Sequence, residues 1–177
     1  MLGTNKSRKV VEAALVAKYA NLWRFALALS GDATTADDLV QATSMRALEK
    51  ANQLVDTSKP LAWLFAICRS IWLNQMRSDK IRAAQSLETA PDVALISTNS
   101  SVEANIFAAE VFTEVMRLPE AQRETVMLVY VEGFSYREAA ATLDIPLGTV
   151  MSRLSAARAK LARLNSDEQS PSVGLEQ

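Results

Sequence analysis

The first part of the chain carries apolar residues at the spacing of an α-helix. The repeat, three or four positions apart, is formed by Leu15, Tyr19, Leu22, Ala26 and Leu29. This spacing places its members on one helical face. The pattern predicts a first helix over about 9–30, which Gly31 ends.

A second helix is predicted over about 35–51. Thr35 is expected to be its N-cap, because a side-chain oxygen there can accept a hydrogen bond from a free backbone N–H. Asp37 and Asp38 are then placed in the first turn, where acids complement the positive end of the helix dipole.

A polar loop over 52–59 leads to a third predicted helix, about 60–82. Pro60 suits its first turn, because the N–H that proline lacks would be unpaired there. This helix is the most aromatic part of the chain. Its aromatic and apolar residues are Trp63, Phe65, Trp72, Leu64, Ile67, Cys68 and Ile71.

Helical periodicity stops over 83–101, where Pro91 and a run of serine, threonine and asparagine predict a flexible linker. It resumes from Val102 and predicts a helix to Arg117, followed by one from Pro119 to about Glu132 that Gly133 ends. The tail, 165–177, is polar and is expected to be disordered. No strand pattern is found, so the predicted fold class is all-α, with two small helical bundles.

A helix-turn-helix is predicted near the C-terminus. Ser135 and Glu138 match the capping box, in which each side chain pairs with the other residue's backbone N–H. The sequence 144–148 contains Pro146 and predicts a break, and a new helix is expected to begin near Thr149. The buried side of that helix is expected to be formed by Val150, Leu154, Ala157 and Leu161.

The other side of this last helix carries small, polar and basic residues, a composition typical of a recognition helix in the DNA major groove. Small residues allow close approach, and hydroxyl and guanidinium groups can contact phosphates or base edges. An ordinary helical hairpin with a solvated basic face is the alternative interpretation.

Composition limits the chemistry of the chain. It contains one cysteine, Cys68, and no histidine. An internal disulfide is therefore excluded, and we expect neither a transition-metal site nor a cofactor. Without histidine the commonest general base is also missing, so an enzyme is not expected. The apolar stretches are too short to span a bilayer and no secretory segment is found, which predicts a cytoplasmic protein.

The net charge of −1 is unevenly distributed. Residues 6–82 carry 12 basic and 7 acidic side chains, a net of +5, whereas 83–109 carry only acids and have a net of −3. Residues 110–164 balance, and 165–177 contribute −3. Two blocks of different net charge, separated by an acidic segment, favour two domains. Clustered positive charge is compatible with nucleic-acid binding or with a merely solvated surface.

Three motifs in the C-terminal half resemble the C-terminal domain of extracytoplasmic-function σ factors. They are Leu118-Pro119-Glu120-x-x-Arg123-Glu124, Gly133-Phe134-Ser135-Tyr136-x-Glu138-Ala139-Ala140 and Pro146-x-Gly148-Thr149-Val150-x-Ser152-Arg153. This half alone is also similar to the DNA-binding domain of many response regulators.

The N-terminal half separates these two families. Its motifs, which resemble those of the σ factor N-terminal domain, are Ala36-Asp37-Asp38-Leu39-Val40-Gln41-x-Thr43 and Ala62-Trp63-Leu64-Phe65-x-Ile67-x-Arg69. The resemblance covers about 10–164 in the right order. It implies a transcription initiation subunit with a polymerase-binding and −10 domain over 9–82, the linker 83–101 and a −35-binding domain over 102–164.

The resemblance implies that the segment 36–50 docks on the clamp helices of the RNA polymerase core, with the flap as a further contact. The residues assigned to this docking are Asp37, Asp38, Gln41 and Arg46. A polar, charged helix surface suits docking. For Asp37 alone, helix capping and solvation explain the residue equally well.

The resemblance also places −10 DNA near the loop 52–60 and the helix after it. In the family this loop holds a flipped base, and the residues matched to it here are Asn52 and Leu54. The side chains expected to contact the melted strand are Arg69, Asn74, Arg77 and Lys80. Trp63 and Trp72 can stack on bases in principle, but their helical spacing favours core packing, and Cys68 is expected to be a small core residue.

Binding of −35 DNA is assigned to the last helix, through Thr149, Met151, Ser152, Arg153, Ser155, Ala156 and Arg158. Met151 and Ala156 depart from the family, since relatives commonly carry Arg or Lys at these positions. The loss of two cations weakens phosphate and guanine contacts. The −35 sequence that relatives recognise therefore cannot be assigned to this chain.

The resemblance implies three partners: the polymerase core, promoter DNA and an anti-σ factor that the flexible linker would help to accommodate. Two other functions stay open. One is a σ-like mimic that binds an anti-σ factor without reading DNA, which Met151 and Ala156 slightly favour. The other is a plain helix-turn-helix regulator, which leaves the first 80 residues unexplained.

Overall fold

Helices make up the secondary structure of the described part of the chain, residues 2–85 and 112–167 of a computed structural model. In chain order they are α1 Leu2–Ala17, α2 Tyr19–Ser30, α3 Ala33–Glu49, a 3-10 turn Ala51–Gln53, α4 Pro60–Gln85, α5 112–116, α6 Glu120–Val126 with a π-helical turn Met127–Val131, α7 Tyr136–Leu143 and α8 Leu147–Asp167. No strand occurs in these residues. The predicted all-α class is confirmed.

The N-terminal half packs around α2, whose apolar side contacts α3 and α4. Phe25 of α2 and Phe65 of α4 form the centre of this bundle, with ring centroids 4.5 Å apart. Both rings are fully buried. An aromatic pair of this kind adds roughly 0.5–1.5 kcal/mol beyond the apolar area that it buries.

The first predicted helix, 9–30, is two helices in the structure. The chain turns at Lys18, between α1 and α2, although neither proline nor glycine marks the position. The break lets α1 pack on the 3-10 turn while α2 packs on α3 and α4, which one straight helix cannot do. Tyr19 is 53% exposed, so it does not share the buried face of Leu22, Ala26 and Leu29 as the spacing predicted.

The N-terminus of α3 also differs from the prediction. Asp32, not Thr35, is the N-cap, and its Oδ2 accepts hydrogen bonds from both the backbone N–H and the hydroxyl of Thr35 at 2.7 Å. These bonds lower the pKa of the Asp32 carboxyl. Because the helix begins at Ala33, Asp37 and Asp38 lie in its second turn.

The C-terminal half is built around α6, α7 and α8. Gly133 follows the π-helical turn with a φ of +72°, a left-handed conformation that glycine adopts at no steric cost. The predicted helix end at Gly133 is therefore confirmed. The stripe predicted for α8 is also confirmed, since Val150, Leu154 and Ala157 are fully buried.

The two halves contact each other directly. Helix α2 packs on α6, and α4 packs on α7. The rings of Phe65 and Phe134 meet across this contact, with centroids 5.8 Å apart. The other contacts between the halves are both apolar and polar: one cluster of buried apolar residues spans the two halves, and Lys59 pairs with Glu138 at the surface.

Two predicted segments fall largely outside the described residues. The linker 83–101 begins within α4, which continues through Ala83 and Ala84 to Gln85 because these residues are strong helix formers. The rest of that linker, and the start of the helix predicted from Val102, lie outside the description. The tail 165–177 is helical as far as Asp167 and is not described beyond it.

Candidate nucleic-acid and polymerase interface

The helix-turn-helix forms as its sequence predicts. Ser135 Oγ accepts a hydrogen bond from the Glu138 backbone N–H at 3.2 Å, and Glu138 Oε2 accepts one from the Ser135 backbone N–H at 2.9 Å. Asp144 ends α7 in the left-handed region, with a φ of +50°. The capping box and this turn together fix the position of α8 against α7.

Helix α8 begins two residues earlier than predicted, at Leu147. The Pro146 carbonyl accepts the first hydrogen bonds, from the backbone N–H groups of Thr149 and Val150 at 2.9 and 3.3 Å. Gly148 therefore lies in the first turn of α8 and does not break the helix. The extra residues lengthen the N-terminal end that would face a DNA groove.

One face of α8 is free for contact. Five of the residues that sequence assigned to −35 DNA are exposed there, namely Met151, Ser152, Ser155, Ala156 and Arg158. Thr149 is half-buried, and its carbonyl accepts a hydrogen bond from Ser152 Oγ at 3.0 Å. Met151 is 48% exposed, so an apolar side chain lies on this accessible face.

Arg153 and Arg69 are not on free surfaces. Both contact Glu124 of α6, whose carboxylate is almost fully buried. Arg69 Nε donates to Glu124 Oε2, and Arg153 Nη1 donates to Glu124 Oε1, each at 2.8 Å. The structure thus joins an arginine assigned to −10 DNA with one assigned to −35 DNA, through a carboxylate that sequence reasoning did not single out.

The exposed side of α4 carries the other residues assigned to −10 DNA. Asn74, Arg77 and Lys80 are all exposed. Arg77 Nη1 donates to Asn74 Oδ1 at 3.2 Å, one helical turn away. This side of α4 is polar and carries cations, as contact with a DNA backbone requires.

The loop before α4 separates the two residues matched to the flipped-base pocket. Asn52 is exposed, but Leu54 is 5% exposed and packs in the core. The loop instead exposes Val55, which is 96% accessible. Leu54 therefore anchors the loop in this arrangement, because alternation along an extended segment turns neighbouring side chains to opposite sides.

The residues assigned to polymerase docking are all accessible on α3, but they do not lie on a single face: Asp37 contacts Trp23 of α2, whereas Asp38 and Arg46 face the side of α4. Asp37, Asp38, Gln41 and Arg46 are all exposed. Asp38 and Arg46 also line a groove between α3 and α4 of about 590 Å³. With Asp79 and Arg82 of α4, the groove presents two acids and two bases to a partner.

Sequence reasoning missed the residues that orient these surfaces. Trp23 Nε1 donates to Asp37 Oδ1 at 2.7 Å, and Trp72 Nε1 donates to Glu120 Oε1 at 2.9 Å. Trp72 is otherwise buried, in agreement with its predicted core role, and Cys68 is fully buried as predicted. These two hydrogen bonds could not be predicted from the sequence, because each tryptophan and its acidic partner lie on different helices.

Two features are absent from the residues that the structure describes. None of the helices there is both long and apolar enough to cross a membrane. Over the same residues, 2–85 and 112–167, no group of three or more His, Cys, Asp or Glu side chains could hold a metal ion.

Comparison with protein families and curated sequences gives consistent matches over both halves. Residues 15–81 match Sigma-70 region 2, and residues 108–161 match Sigma-70, region 4. The chain is 36% identical over 152 residues to the ECF RNA polymerase sigma factor EcfG of Rhodopseudomonas palustris, a match that covers 85% of this chain and 82% of the relative. It is 34% identical over 134 residues to the ECF RNA polymerase sigma factor SigL of Mycobacterium tuberculosis, covering 75% and 76%.

The solved structures that are similar to the chain include two complexes. One is the sigma factor RpoE in complex with the anti-sigma factor NepR from Bartonella quintana, with a TM-score of 0.73, 32% identity, and coverage of 88% of this chain and 96% of the other. The other is CnrH in complex with the cytosolic domain of CnrY, with a TM-score of 0.61, 26% identity, and coverage of 96% and 97%.

Proposed function

The chain belongs to the extracytoplasmic-function σ factors of RNA polymerase, and on that basis we propose how its surfaces divide the work of promoter selection. It is an alternative σ factor. The exposed side of α3 binds the polymerase core, α4 and the loop before it bind −10 DNA, and α8 binds −35 DNA. The protein acts in the cytoplasm and has no catalysis of its own.

The exposed face of α8 is the single observation that supports this proposal most strongly. A capped helix-turn-helix holds the helix, its apolar side is buried, and Ser152, Ser155 and Arg158 are exposed on the other side. Hydroxyl and guanidinium groups on one helical face suit phosphate and base-edge contacts. We expect Arg158→Ala to weaken DNA binding and to reduce the slope of log K against log salt by about 1.

The exposed side of α3 suits the polymerase core because it presents opposite charges on a rigid helix. Asp38 and Arg46 lie on the rim of the groove between α3 and α4. Complementary charges at an interface set its register and its association rate. The clamp helices are the expected partner of this surface, and the flap is the expected further contact of the C-terminal half.

The test replaces the two groove charges of α3 together, with Asp38→Asn and Arg46→Gln in one chain. The matched control is Arg8→Gln with Glu12→Gln, which removes another exposed acid–base pair, on α1. We expect the groove variant to bind core polymerase at least about tenfold more weakly, equivalent to ~1.4 kcal/mol. Unchanged core binding and transcript yield in the groove variant would refute the assignment of α3.

An anti-σ factor is the third proposed partner. The two solved structures compared above are both complexes with another protein, and the partner in one of them is described as an anti-sigma factor. The chain covers nearly all of each neighbour. We propose that this chain is likewise held inactive by an anti-σ factor until a signal releases it.

A σ-like mimic is the second candidate function, because Met151 and Ala156 leave the centre of the exposed α8 face without a cation. Such a mimic would bind an anti-σ factor but not DNA. Transcription distinguishes the two functions, since a mimic gives no promoter-specific transcript with core polymerase. The polar and cationic side of α4 favours the σ factor, because a mimic has no need of it.

A further inference from the structure

Glu124 is placed where a carboxylate is costly unless it is well paired. It lies on α6 and is 3% exposed. Its two oxygens accept three hydrogen bonds: from Arg69 Nε at 2.8 Å and Nη2 at 3.4 Å, and from Arg153 Nη1 at 2.8 Å. Removal of one member of such a buried ionic group leaves the others uncompensated, so the group tends to form or open as a unit.

The three members come from three helices and from both halves of the chain. Arg69 belongs to α4, 55 positions before Glu124, and Arg153 belongs to α8, 29 positions after it. Their guanidinium groups are only 17% and 21% exposed. The cluster therefore connects the N-terminal half to the recognition helix.

The cluster occupies guanidinium N–H groups that the two arginines would use for DNA contact. Hydrogen bonds to a phosphate use the same guanidinium N–H groups that donate to Glu124 in this structure. A phosphate and Glu124 therefore compete for Arg69 and Arg153. Neighbouring contacts support the same arrangement of the halves, including Trp72 with Glu120 and Asn21 with Glu132.

We propose that Glu124 is an internal latch: its ion pair with Arg69 holds the two halves closed and withholds Arg69 from promoter DNA until the halves separate. The withholding of DNA contact rests on the proposed function, whereas closure itself does not. Because the binding-competent open state is a minority, the apparent affinity for DNA is reduced by the open fraction. An increase of that fraction from about a tenth to nearly all would tighten DNA binding about tenfold.

The test compares the full-length chain with two variants that each remove one negative charge. Glu124→Gln breaks the latch with little change in side-chain shape. Glu12→Gln is the matched control, because Glu12 is exposed on α1, pairs there with Arg8 and belongs to no surface assigned to DNA. Spin labels at the exposed positions Thr34 and Ala141 report the separation of the halves in all three chains. Cys68 is buried, so it is not labelled.

We expect Glu124→Gln to lengthen and broaden the label distance and to tighten binding to promoter DNA about tenfold. Glu12→Gln should leave the distance unchanged and tighten DNA binding far less. An unchanged distance in Glu124→Gln overturns the latch. An equal gain in DNA binding by both variants also overturns it, because the gain is then a simple effect of charge.

A second variant covers the case in which Glu124→Gln does not fold. Glu120→Ala removes the acceptor of the Trp72 indole N–H and should shift the label distance in the same direction, by less. No shift in this variant overturns the latch. Failure of the proposed function is recognised separately. If these arginines do not bind DNA, Arg69→Ala and Arg153→Ala leave DNA binding unchanged when each is added to the Glu124→Gln chain. The distance measurement does not depend on DNA binding, so it still decides whether the halves were closed.

Discussion

The buried position of Cys68 sets the chemistry of the only cysteine in the chain. Burial raises the pKa of its thiol to about 12, and a hydrogen bond with Thr43 opposes this shift only in part. The thiolate is the reactive form of cysteine. Cys68 is therefore an unreactive core residue in the folded chain.

We expect Cys68 to react very slowly with a thiol reagent such as dithionitrobenzoate at pH 8 in the native protein. In urea the same thiol becomes exposed with an ordinary pKa of about 8.5, and it should react completely within minutes. The absorbance of the released thiolate measures both rates. Rapid reaction of the native protein would show that α4 does not bury this residue.

The pKa of Glu138 is shifted in the opposite direction, although its side chain is partly exposed. A hydrogen bond from Lys59 is the largest cause, followed by those from the Ser135 hydroxyl and backbone, and together they lower the pKa of Glu138 to about 2. Because the folded pKa lies below the unfolded value of about 4.3, the stabilisation is complete above that value. It is lost as the pH falls toward 2.

The pKa of Glu138 can be measured by NMR titration of its side-chain carboxyl. We expect Lys59→Ala to raise this pKa more than Ser135→Ala does, because the Lys59 hydrogen bond is the largest cause of the shift. Both variants keep the carboxyl exposed. The opposite order would mean that the capping box, and not the contact between Lys59 and Glu138, controls the titration.

At the scale of single elements, two glycines in the C-terminal half have different roles. Gly133 has a φ of +72° and a β-carbon there would meet no atom within 4 Å, so only backbone strain opposes a side chain. Gly148 lies in the first turn of α8, has no positive φ and is equally open.

Gly133→Ala should therefore lower the free energy of unfolding by about 1–2 kcal/mol, the cost of a left-handed alanine. Gly148→Ala should be neutral or should raise it by up to about 1 kcal/mol, because alanine favours a helix. Urea denaturation monitored by circular dichroism measures both values. Equal effects of the two substitutions would contradict the assignment of Gly133 as the helix stop.

The elements that could be predicted from sequence are those whose determinants are local. The capping box of Ser135 and Glu138, the stop at Gly133 and the apolar stripe of α8 each depend on residues a few positions apart. The break at Lys18 could not be predicted, because it follows from packing on distant helices. Burial of Leu54 was missed for the same reason.

At the scale of the whole molecule, the Arg123 side chain joins the two halves by hydrogen bonds to main-chain carbonyls. It donates to Ala28 and Leu29 at the C-terminal end of α2, and to Met116 and Leu118 before α6. Cations are favourable at this end of a helix. Neither this contact nor the Glu124 cluster could be predicted, since sequence alone does not tell how the halves pack.

Arg123→Lys should lower the free energy of unfolding by roughly 2 kcal/mol, because a lysine cannot reach four carbonyls with one planar group. That loss corresponds to a fall in Tm of about 4–8 °C for a chain of this size. Arg117→Lys is the control, since Arg117 makes an exposed ion pair with Glu114. A similar Tm for both variants would mean that Arg123 does not join the halves.

Promoter selection is the central claim, and run-off transcription on a random promoter library tests it most directly. Core polymerase alone and core polymerase with this chain are compared, and the transcribed templates are sequenced. We expect the chain to enrich templates that share one −10 and one −35 motif, and Arg158→Ala to weaken the −35 motif selectively. No enrichment above core polymerase alone would contradict the assignment of these surfaces to promoter DNA.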